Sequence, residues 1–470
     1  MSTAQKYGQL TDIIIGKIEG IVGKEAYSIA ESMRQMHSHD ESMHPAHLPD
    51  MVIWPQSSEA IAEIMKIAHE ARIPVTARGA GSSLEGNPIP LYGGIALSFE
   101  KMKRIVAVHQ DDFQVTVEAG IGYKDLNQTL ARYGLFFAPD PGANASIGGM
   151  IANNAAGIRT IRYGATRDNV LQLKVITADG RILKLGSRSV KQSSAYDLLH
   201  LIIGSEGTLG IVSEATLKLE PIPAYEIAVL AQFDSVAQAV ETVVAVRGSG
   251  LDPVALEFID SQCARMMSLA PEVDLAEKPH VFMAFHANHE ELLERNMASI
   301  REICLESGAK SIAVTADSKE RAALWYARHH FHESFVRMHP GQRAFINDVA
   351  VPISAYPEII AYIEDVGKTY QSPCYMIGHA GDGNIHVIFP FADEASYQKV
   401  ALMNGLVVEK AISLEGTATG EHGVGIGKAK YMPAEHGEAL NLMRAIKDVF
   451  DPHGILNPGK IFPDAVAPAS

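Results

Sequence analysis

Residues Pro139–Gly164 read PDPGANASIGGMIANNAAGIRTIRYG, and the rest of the chain is organised around them. Glycine and alanine fill the stretch, the short polar residues Asn144, Ser146, Asn153 and Asn154 punctuate it, and large apolar residues are few. Each interior glycine costs a helix or strand roughly 0.5–1 kcal/mol relative to alanine. That composition makes sense where backbone must lie against a large ligand, because glycine allows close approach and positive φ and leaves N–H groups free to donate. The alternative is a glycine-rich surface loop. Its length argues against it, since loops beyond ~12–15 residues are uncommon unless functional.

Working outward, Pro74–Gly86 reads PVTARGAGSSLEG. A short strand, Val75–Ala77, is expected to run into Gly79, Gly81, Ser82 and Ser83, whose successive N–H groups can form an anion nest for a pyrophosphate. This is not the Rossmann fingerprint, because Leu84 stands where the third glycine would be. Further on, Gly204–Gly210 reads GSEGTLG. In this order the three segments resemble the FAD-binding domain of vanillyl-alcohol oxidase-type flavoproteins. The resemblance continues through Gly378–His386, Gly416–Gly425 and Asn457–Lys460, so it spans about Asp50 to Phe462. Within that superfamily it points to the D-lactate dehydrogenase and glycolate oxidase D-subunit branch.

The resemblance implies an α+β fold: a two-subdomain FAD-binding domain of vanillyl-alcohol oxidase type plus a ferredoxin-like antiparallel-sheet substrate domain. The expected boundaries are 1–222 for the N-terminal part of the FAD-binding domain and 223–413 for the substrate (cap) domain, with 414–470 returning to the FAD domain. It also implies FAD contacts from Arg78, Gly79, Gly81, Ser82 and Ser83, and from Pro141, Gly142, Ser146, Gly149 and Asn153. Gly157, Tyr163 and Gly164 follow, then Glu206, Gly207, Gly210 and Ile211, and finally Asn457. Neither His nor Cys occurs between Arg78 and Gly86, so the flavin tether of some relatives has no candidate there and FAD is expected to be non-covalent.

At 470 residues the chain should hold two large domains or about three smaller ones. A net charge of −15 with no offsetting basic patch argues against nucleic acid and against electrostatic docking on an anionic membrane, although a local patch could still dock peripherally. Cys263, Cys304 and Cys374 are odd in number and form no Cys-x-x-Cys pair, which fits inert thiols in a reducing compartment. Residues 1–24 hold Asp12 and Glu19, no Arg, and only Ile13–Ile15 as an apolar run, so neither a secretory nor a transit peptide is expected. No apolar run approaches the ~20 residues of a membrane span. A cytoplasmic protein is expected, with oligomeric state open and a homodimer among the options.

Taken in order, 9–35 reads as a helix pair broken near Gly20–Gly23, and His37, His39, His44 and His47 lie in an extended crossover marked by Pro45 and Pro49 rather than a metal site. Ser57 and Ser58 should cap a helix through Arg72. Phe113–Gly120 reads as a strand and Tyr123–Tyr133 as a helix. Leu171–Ala178 and Arg181–Leu185 should pair as a hairpin around Asp179-Gly180, a dipeptide favoured where both central residues need positive φ. From Ile227 to Thr315 the pattern is β-α-β-β-α-β, the ferredoxin-like arrangement. A long helix, Ser318–Arg337, a strand, Ala344–Pro352, and a helix, Ala355–Tyr370, follow, and the tail beyond Asp464 should fray.

Gly378–His386 reads GHAGDGNIH, and Gly381 and Gly383 argue against a helix there. A turn at Asp382-Gly383 can instead fold His379 and His386 towards one point. Downstream, GTATGEHGVG (Gly416–Gly425) offers Glu421 and His422. Two His and a carboxylate with an open position match catalytic zinc sites; satisfied core histidines are the competing reading. The resemblance makes His379, His386 and Glu421 metal ligands and His422 the base. Adjacent residues of an extended chain point opposite ways, so Glu421 could face the metal and His422 the substrate hydroxyl. Arg328, within WYARHHFHESF, is the candidate clamp for a substrate carboxylate; His329, His330 and His332 could also line the site. Relatives acting on 2-hydroxyglutarate pair this Arg with a Thr four residues on and a Lys two before an Asp, whereas here His332 stands at the first place and Ile346 precedes Asp348. That favours a short monocarboxylic substrate.

The resulting expectation is an FAD- and metal-dependent D-2-hydroxy-acid dehydrogenase, with D-lactate first and glycolate or D-2-hydroxyglutarate as alternatives, Zn²⁺ or Mn²⁺ as the metal, and a metallohydrolase as the reading from another class. Gly454 and Gly459-Lys460 have Walker A spacing, but Ile461 replaces the Ser/Thr, so no nucleoside triphosphate site is expected. No haem or iron–sulfur signature is present, so electrons should leave to a separate cytochrome, quinone or electron-transfer flavoprotein.

Overall fold

The Ser57 hydroxyl accepts the Ala60 N–H at 3.1 Å. That cap starts the helix Ser58–Ala71, whose Ile61, Ile64, Met65 and Ala68 recur at helical spacing and are buried. Arg72 ends it in the left-handed conformation, with φ 52°. This helix covers the first sheet of a computed structural model that describes residues 7–463. The sheet holds β1 (Tyr27–Ser28), β2 (Met51–Ile53), β3 (Val75–Arg78) and β4 (Ile95–Ser98) in the order β1-β2-β4-β3. Strands β2 and β3 both run parallel to β4. The free side of β3 takes the C-terminal segment: Val75 N–H donates to Ile455 O at 2.8 Å and Asn457 N–H to Val75 O at 2.9 Å.

The chain divides into two compact units, the first made of Met1–Ala156, Ala165–Ile222 and Glu421–Ser470, the second of Gly157–Gly164 and Pro223–Gly420. The first unit also carries β5 (Ile105–His109), β6 (Gln114–Glu118), β7 (Leu135–Phe136), β8 (Val170–Ile176), β9 (Ile182–Gly186), β10 (Ile211–Lys218) and β11 (Glu220–Pro221). Five of these form an antiparallel sheet, β5-β6-β10-β8-β9, and β11 pairs with β7. Val115, Val117, Leu173, Val175, Ala215 and Leu217 supply its buried side. The β8–β9 hairpin forms, but not with both central residues at positive φ. Gly180 alone is left-handed, at φ 79°. Gly180 N–H closes a turn on Thr177 O and Thr177 N–H pairs with Arg181 O, both at 3.0 Å. That is a type I turn followed by a left-handed glycine, the usual three-residue hairpin loop. The Gly-rich block likewise contains two short helices, Ile147–Asn153 and Thr160–Tyr163; Ser146 caps the first by accepting the Gly149 N–H at 3.3 Å.

The second unit holds one seven-stranded antiparallel sheet. Its strands are β12 (Tyr225–Gln232), β13 (Ala255–Ile259), β14 (His280–Ala287), β15 (Ser311–Thr315), β16 (Arg343–Ala350), β17 (Tyr375–Gly378) and β18 (Asn384–Phe391), in the order β15-β12-β14-β13-β17-β18-β16. The first four strands have the ferredoxin-like order, with helices Val236–Gly248 and Glu290–Glu306 as crossovers. Beyond that motif, which the sequence pattern already indicates, β17 and β18 carry the sheet on to β16. The long helix expected over Ser318–Arg337 breaks at His330 (φ −99°, ψ 22°) into Ser318–His329 and Phe331–Met338. The break turns the second piece so that Phe331, Ser334 and Phe335 are buried. Helices Glu394–Ser413 and Ala439–Phe450 were not anticipated. The tail beyond Asp464 lies outside the described residues.

In the first unit Lys460 is buried and donates to Ile89 O at 2.6 Å and Asn457 Oδ1 at 3.3 Å. Burial lowers its ammonium pKa to about 7, against the pull of Glu206 and Asp40. The folded chain therefore holds this proton less tightly than the unfolded chain does. Its contribution to stability rises with pH between about 7 and the ordinary lysine value of 10.5. Thermal melts of the wild type and Lys460→Met across that interval should show a rise for the wild type that the variant lacks; parallel curves would refute this account.

Candidate active site

Strand β3 delivers Arg78 to its end, and the turn Gly79–Ser83 opens one wall of a cleft in the first unit. Arg78, Gly79, Gly81, Ser82 and Ser83 line that cleft together with Pro141, Ser146, Gly149 and Asn153. So do Glu206, Gly207, Gly210, Ile211 and Asn457. The packing is close: a Cβ on Gly79 would sit 2.0 Å from Ser146 Oγ, while one on Gly149 would meet only Ser146 Oγ, at 3.0 Å. Gly81 and Gly207 adopt φ 75° and 70°, which L side chains rarely reach. Gly142, Gly157, Tyr163 and Gly164 do not line the cleft. Gly142 N–H is taken by Asp140 Oδ1 at 3.1 Å, and Gly157–Gly164 belongs to the second unit, where the Tyr163 hydroxyl meets His286 Nδ1 at 3.0 Å.

Glu421 and His422 line the same cleft. They lie in a bend rather than an extended strand, and Glu421 Oε1 is 3.9 Å from His422 Nε2. The expected divergence of consecutive extended side chains is therefore not what this backbone provides. Asn153 Nδ2 donates to His422 O at 3.0 Å. Glu206, buried and at φ 53°, accepts from Val424 N–H at 2.6 Å, Gly425 N–H at 2.9 Å and Asn87 Nδ2 at 2.7 Å. Burial pushes its carboxyl above the usual range, against these donors. Its side chain is spent on the loop that carries His422, a role the sequence did not suggest. Asn457 Nδ2 is likewise occupied, by Asn87 O at 2.9 Å and Glu206 O at 2.7 Å.

In the second unit a hairpin folds His379 and His386 together. Gly383, at φ 74°, follows a single 3-10 turn, Ala380–Asp382, and β18 returns so that Ile377 pairs with His386. Both imidazoles are buried, with ring centroids 5.4 Å apart and planes at 90°. Two further carboxylates face them. His379 Nδ1 lies 2.7 Å from Glu257 Oε1, and His386 Nδ1 lies 3.6 Å from Asp348 Oδ1, its direct partner across β16 and β18. Asp348 also accepts from Asn384 Nδ2 at 2.7 Å, from the Thr419 hydroxyl at 2.9 Å and from Gly420 N–H at 2.8 Å. Arg328, in the last turn of its helix, donates from Nε to Glu257 Oε2 at 3.0 Å. Its Nη2 is buried with no hydrogen-bond partner among the described residues. Burial alone would raise the Glu257 carboxyl, but His379 and Arg328 outweigh it and hold it below the usual range. Sequence reading missed Glu257, although a charged residue inside the apolar run Val254–Ile259 is itself a signal.

Two family models match the chain: "FAD binding domain" over residues 49–186 and "FAD linked oxidases, C-terminal domain" over residues 222–461. A D-lactate dehydrogenase [cytochrome], mitochondrial, of Arabidopsis thaliana is 36% identical over 98% of this chain and 82% of its own length. The chain belongs to the FAD-linked oxidase family. Glycolate oxidase subunit GlcD of Bacillus subtilis is 34% identical over 94% of this chain and 95% of its own. Among solved structures, p-cresol methylhydroxylase shares the fold at 14% identity, with a TM-score of 0.80 over 96% of each chain. As an FAD-linked oxidase the chain is a flavoenzyme, an oxidoreductase. The cleft fits FAD: glycine, alanine and serine make up more than half of its lining and let a flat ligand lie against backbone, and N–H groups of Gly79–Ser83 can meet a pyrophosphate. The imidazole pair, with its carboxylate partners, fits a divalent transition metal. Among the described residues no helix is long and apolar enough to cross a membrane.

Gly79→Ala should strip flavin, because the new methyl can be accommodated only by displacing the Ser146 cap. Flavin absorbance per mole of protein after gel filtration measures this. Gly16→Ala, whose Cβ meets nothing within 4 Å, is the control and should keep its flavin. Full flavin in Gly79→Ala would show that this turn does not abut the cofactor.

Proposed function

We propose that the chain is an FAD- and metal-dependent dehydrogenase of a D-2-hydroxy acid, with conversion of D-lactate to pyruvate as its foremost reaction. One observation carries the reading: two buried imidazoles meet edge to face, with His379 Nδ1 held by the buried Glu257 at 2.7 Å and His386 Nδ1 lying 3.6 Å from the buried Asp348. An imidazole so held presents Nε2 as a ligand. A relative named as a D-lactate dehydrogenase supports the substrate. Glycolate is the near alternative, supported by the Bacillus subtilis relative. D-2-hydroxyglutarate fits less well, since Ile346 and His332 stand where a second carboxylate would need Lys and Thr. A metallohydrolase could use the same imidazoles but leaves the glycine-lined cleft without a role.

His379, His386 and Glu421 are the proposed metal ligands. Glu421 directly follows Gly420, whose N–H is anchored on Asp348, the carboxylate facing His386. Zinc suits this donor set, and manganese would suit it with added oxygen ligands. A metal there supplies a Lewis acid, and FAD, held without a covalent link, supplies the hydride acceptor. Arg328 binds the substrate carboxylate through its unpartnered Nη2. A His422 ring nitrogen takes the hydroxyl proton as the C2 hydride departs, leaving a 2-oxo acid. Glu206 and Asn153 hold the His422 segment in place. Electrons then pass to a separate cytochrome, quinone or electron-transfer flavoprotein. Three free cysteines fit the reducing cytoplasm, where we place the protein.

Anaerobic D-lactate should bleach the flavin absorbance. His422→Ala should slow that bleaching by roughly 10²–10⁴, the usual worth of a positioned base, with metal and flavin content unchanged. Glu421→Gln should lose metal and regain part of its rate in excess Zn²⁺. Since the two side chains approach within 3.9 Å, the reverse assignment is the sharp competitor. Metal analysis beside stopped-flow reduction decides: metal lost from His422→Ala and kept by Glu421→Gln would make His422 the ligand and Glu421 the base.

A further inference from the structure

We infer that Glu257 is a positioning residue that couples occupancy of Arg328 by an anion to metal affinity at His379. The inference rests on the proposed metal ligation by His379 and extends it to a residue outside the ligand set. Glu257 sits on β13, 0% exposed, with apolar Leu256 and Phe258 on either side. Its two oxygens are divided between two partners: Oε1 takes His379 Nδ1 at 2.7 Å and Oε2 takes Arg328 Nε at 3.0 Å. A carboxylate buried this completely is costly unless paired and hydrogen-bonded, and these two contacts are what stabilises it.

The sign of the coupling follows from sharing one negative charge between two positive centres. With Nη2 unpartnered, Arg328 directs its charge at Glu257. An anionic ligand on the guanidinium draws some of that charge away. Glu257 then acts more strongly on His379 Nδ1–H, which makes Nε2 the better donor to a metal. Conversely, a cation at Nε2 polarises the imidazole towards Glu257 and leaves the guanidinium freer for an anion. Each ligand thus raises affinity for the other by the same factor, as linkage requires. A lysine at position 328 could supply charge but not the planar fork that binds Glu257 and an anion at once.

The test uses the flavin-loaded protein stripped of metal by chelation, Zn²⁺ as the metal probe and pyruvate as the anion. Zn²⁺ affinity is read by competition with a chromophoric chelator, with and without saturating pyruvate. The wild type should bind Zn²⁺ about 5–20 times more tightly with pyruvate, within the usual span of coupled sites. Glu257→Gln should lose roughly 10–100-fold in Zn²⁺ affinity, as partners of metal ligands do, and its pyruvate effect should fall to the part that direct chelation of the metal supplies. Arg328→Lys should retain Zn²⁺ affinity and lose most of the pyruvate effect. Pyruvate can also chelate the metal directly, and that effect would survive in Glu257→Gln. An undiminished pyruvate effect in Glu257→Gln with unchanged flavin content therefore overturns the coupling. Unchanged Zn²⁺ affinity in His379→Ala would instead overturn the metal reading, and the coupling with it. Thermal melts of each variant separate loss of fold from loss of coupling.

Discussion

One buried carboxylate holds the Glu421–Gly425 loop of the first unit in place. Glu206 has its charge out of water, which costs several kcal/mol unless donors compensate. Val424 and Gly425 N–H groups and the Asn87 amide provide them. Two of these donors come from the loop just beyond His422, so the need to satisfy Glu206 also fixes where that loop runs. Its own backbone carbonyl is held by Asn457, which in turn reaches Asn87, so three distant segments meet at one charge. The positive φ at Glu206 is unfavourable for a side-chain-bearing residue and persists because these contacts over-determine it.

The second unit uses a related device for its imidazoles. Glu257 occupies a strand that is otherwise apolar, Asp348 follows the buried Asn347 on β16, and both carboxylates are 0% exposed. Adjacent strands bring them in register with the hairpin that carries His379 and His386, so ring orientation is set by the sheet rather than by a loop. Sites built on sheet strands hold geometry better than sites on loops. Gly378 shows how tightly this is packed: a Cβ there would lie 2.7 Å from Asn384 O.

Much of this was legible in the sequence, for reasons that also explain the gaps. Helical spacing and a cap located the helix Ser58–Ala71, because local rules govern it. The ferredoxin-like order followed from the alternation of elements. Strands β17 and β18 were missed because they flank a glycine cluster that reads as turn, and only the register with β13 and β16 reveals them. Glu421 and His422 both line the cleft, but the backbone there is a bend rather than the extended chain expected of it. Asp179-Gly180 was misread because three-residue and two-residue hairpin loops share that dipeptide. The partners of Glu206 and Glu257 lie far apart in sequence, and no local pattern encodes them.

The strand addition at β3 bears on how the protein comes to be made. Val75 finds its partner in Leu456, about 380 residues later in the chain. At a synthesis rate of about 5–20 residues per second, roughly 20–80 s pass between the appearance of the two. Through that interval the outer edge of β3 has unpaired N–H and C=O groups, the kind of edge that recruits foreign strands. The first unit cannot close until the last segment has left the ribosome, whereas the greater part of the second, Pro223–Gly420, is contiguous and available earlier. The nascent chain thus carries a finished sheet in its middle while its first sheet waits for an edge partner, and that interval is when a holding chaperone has most to protect.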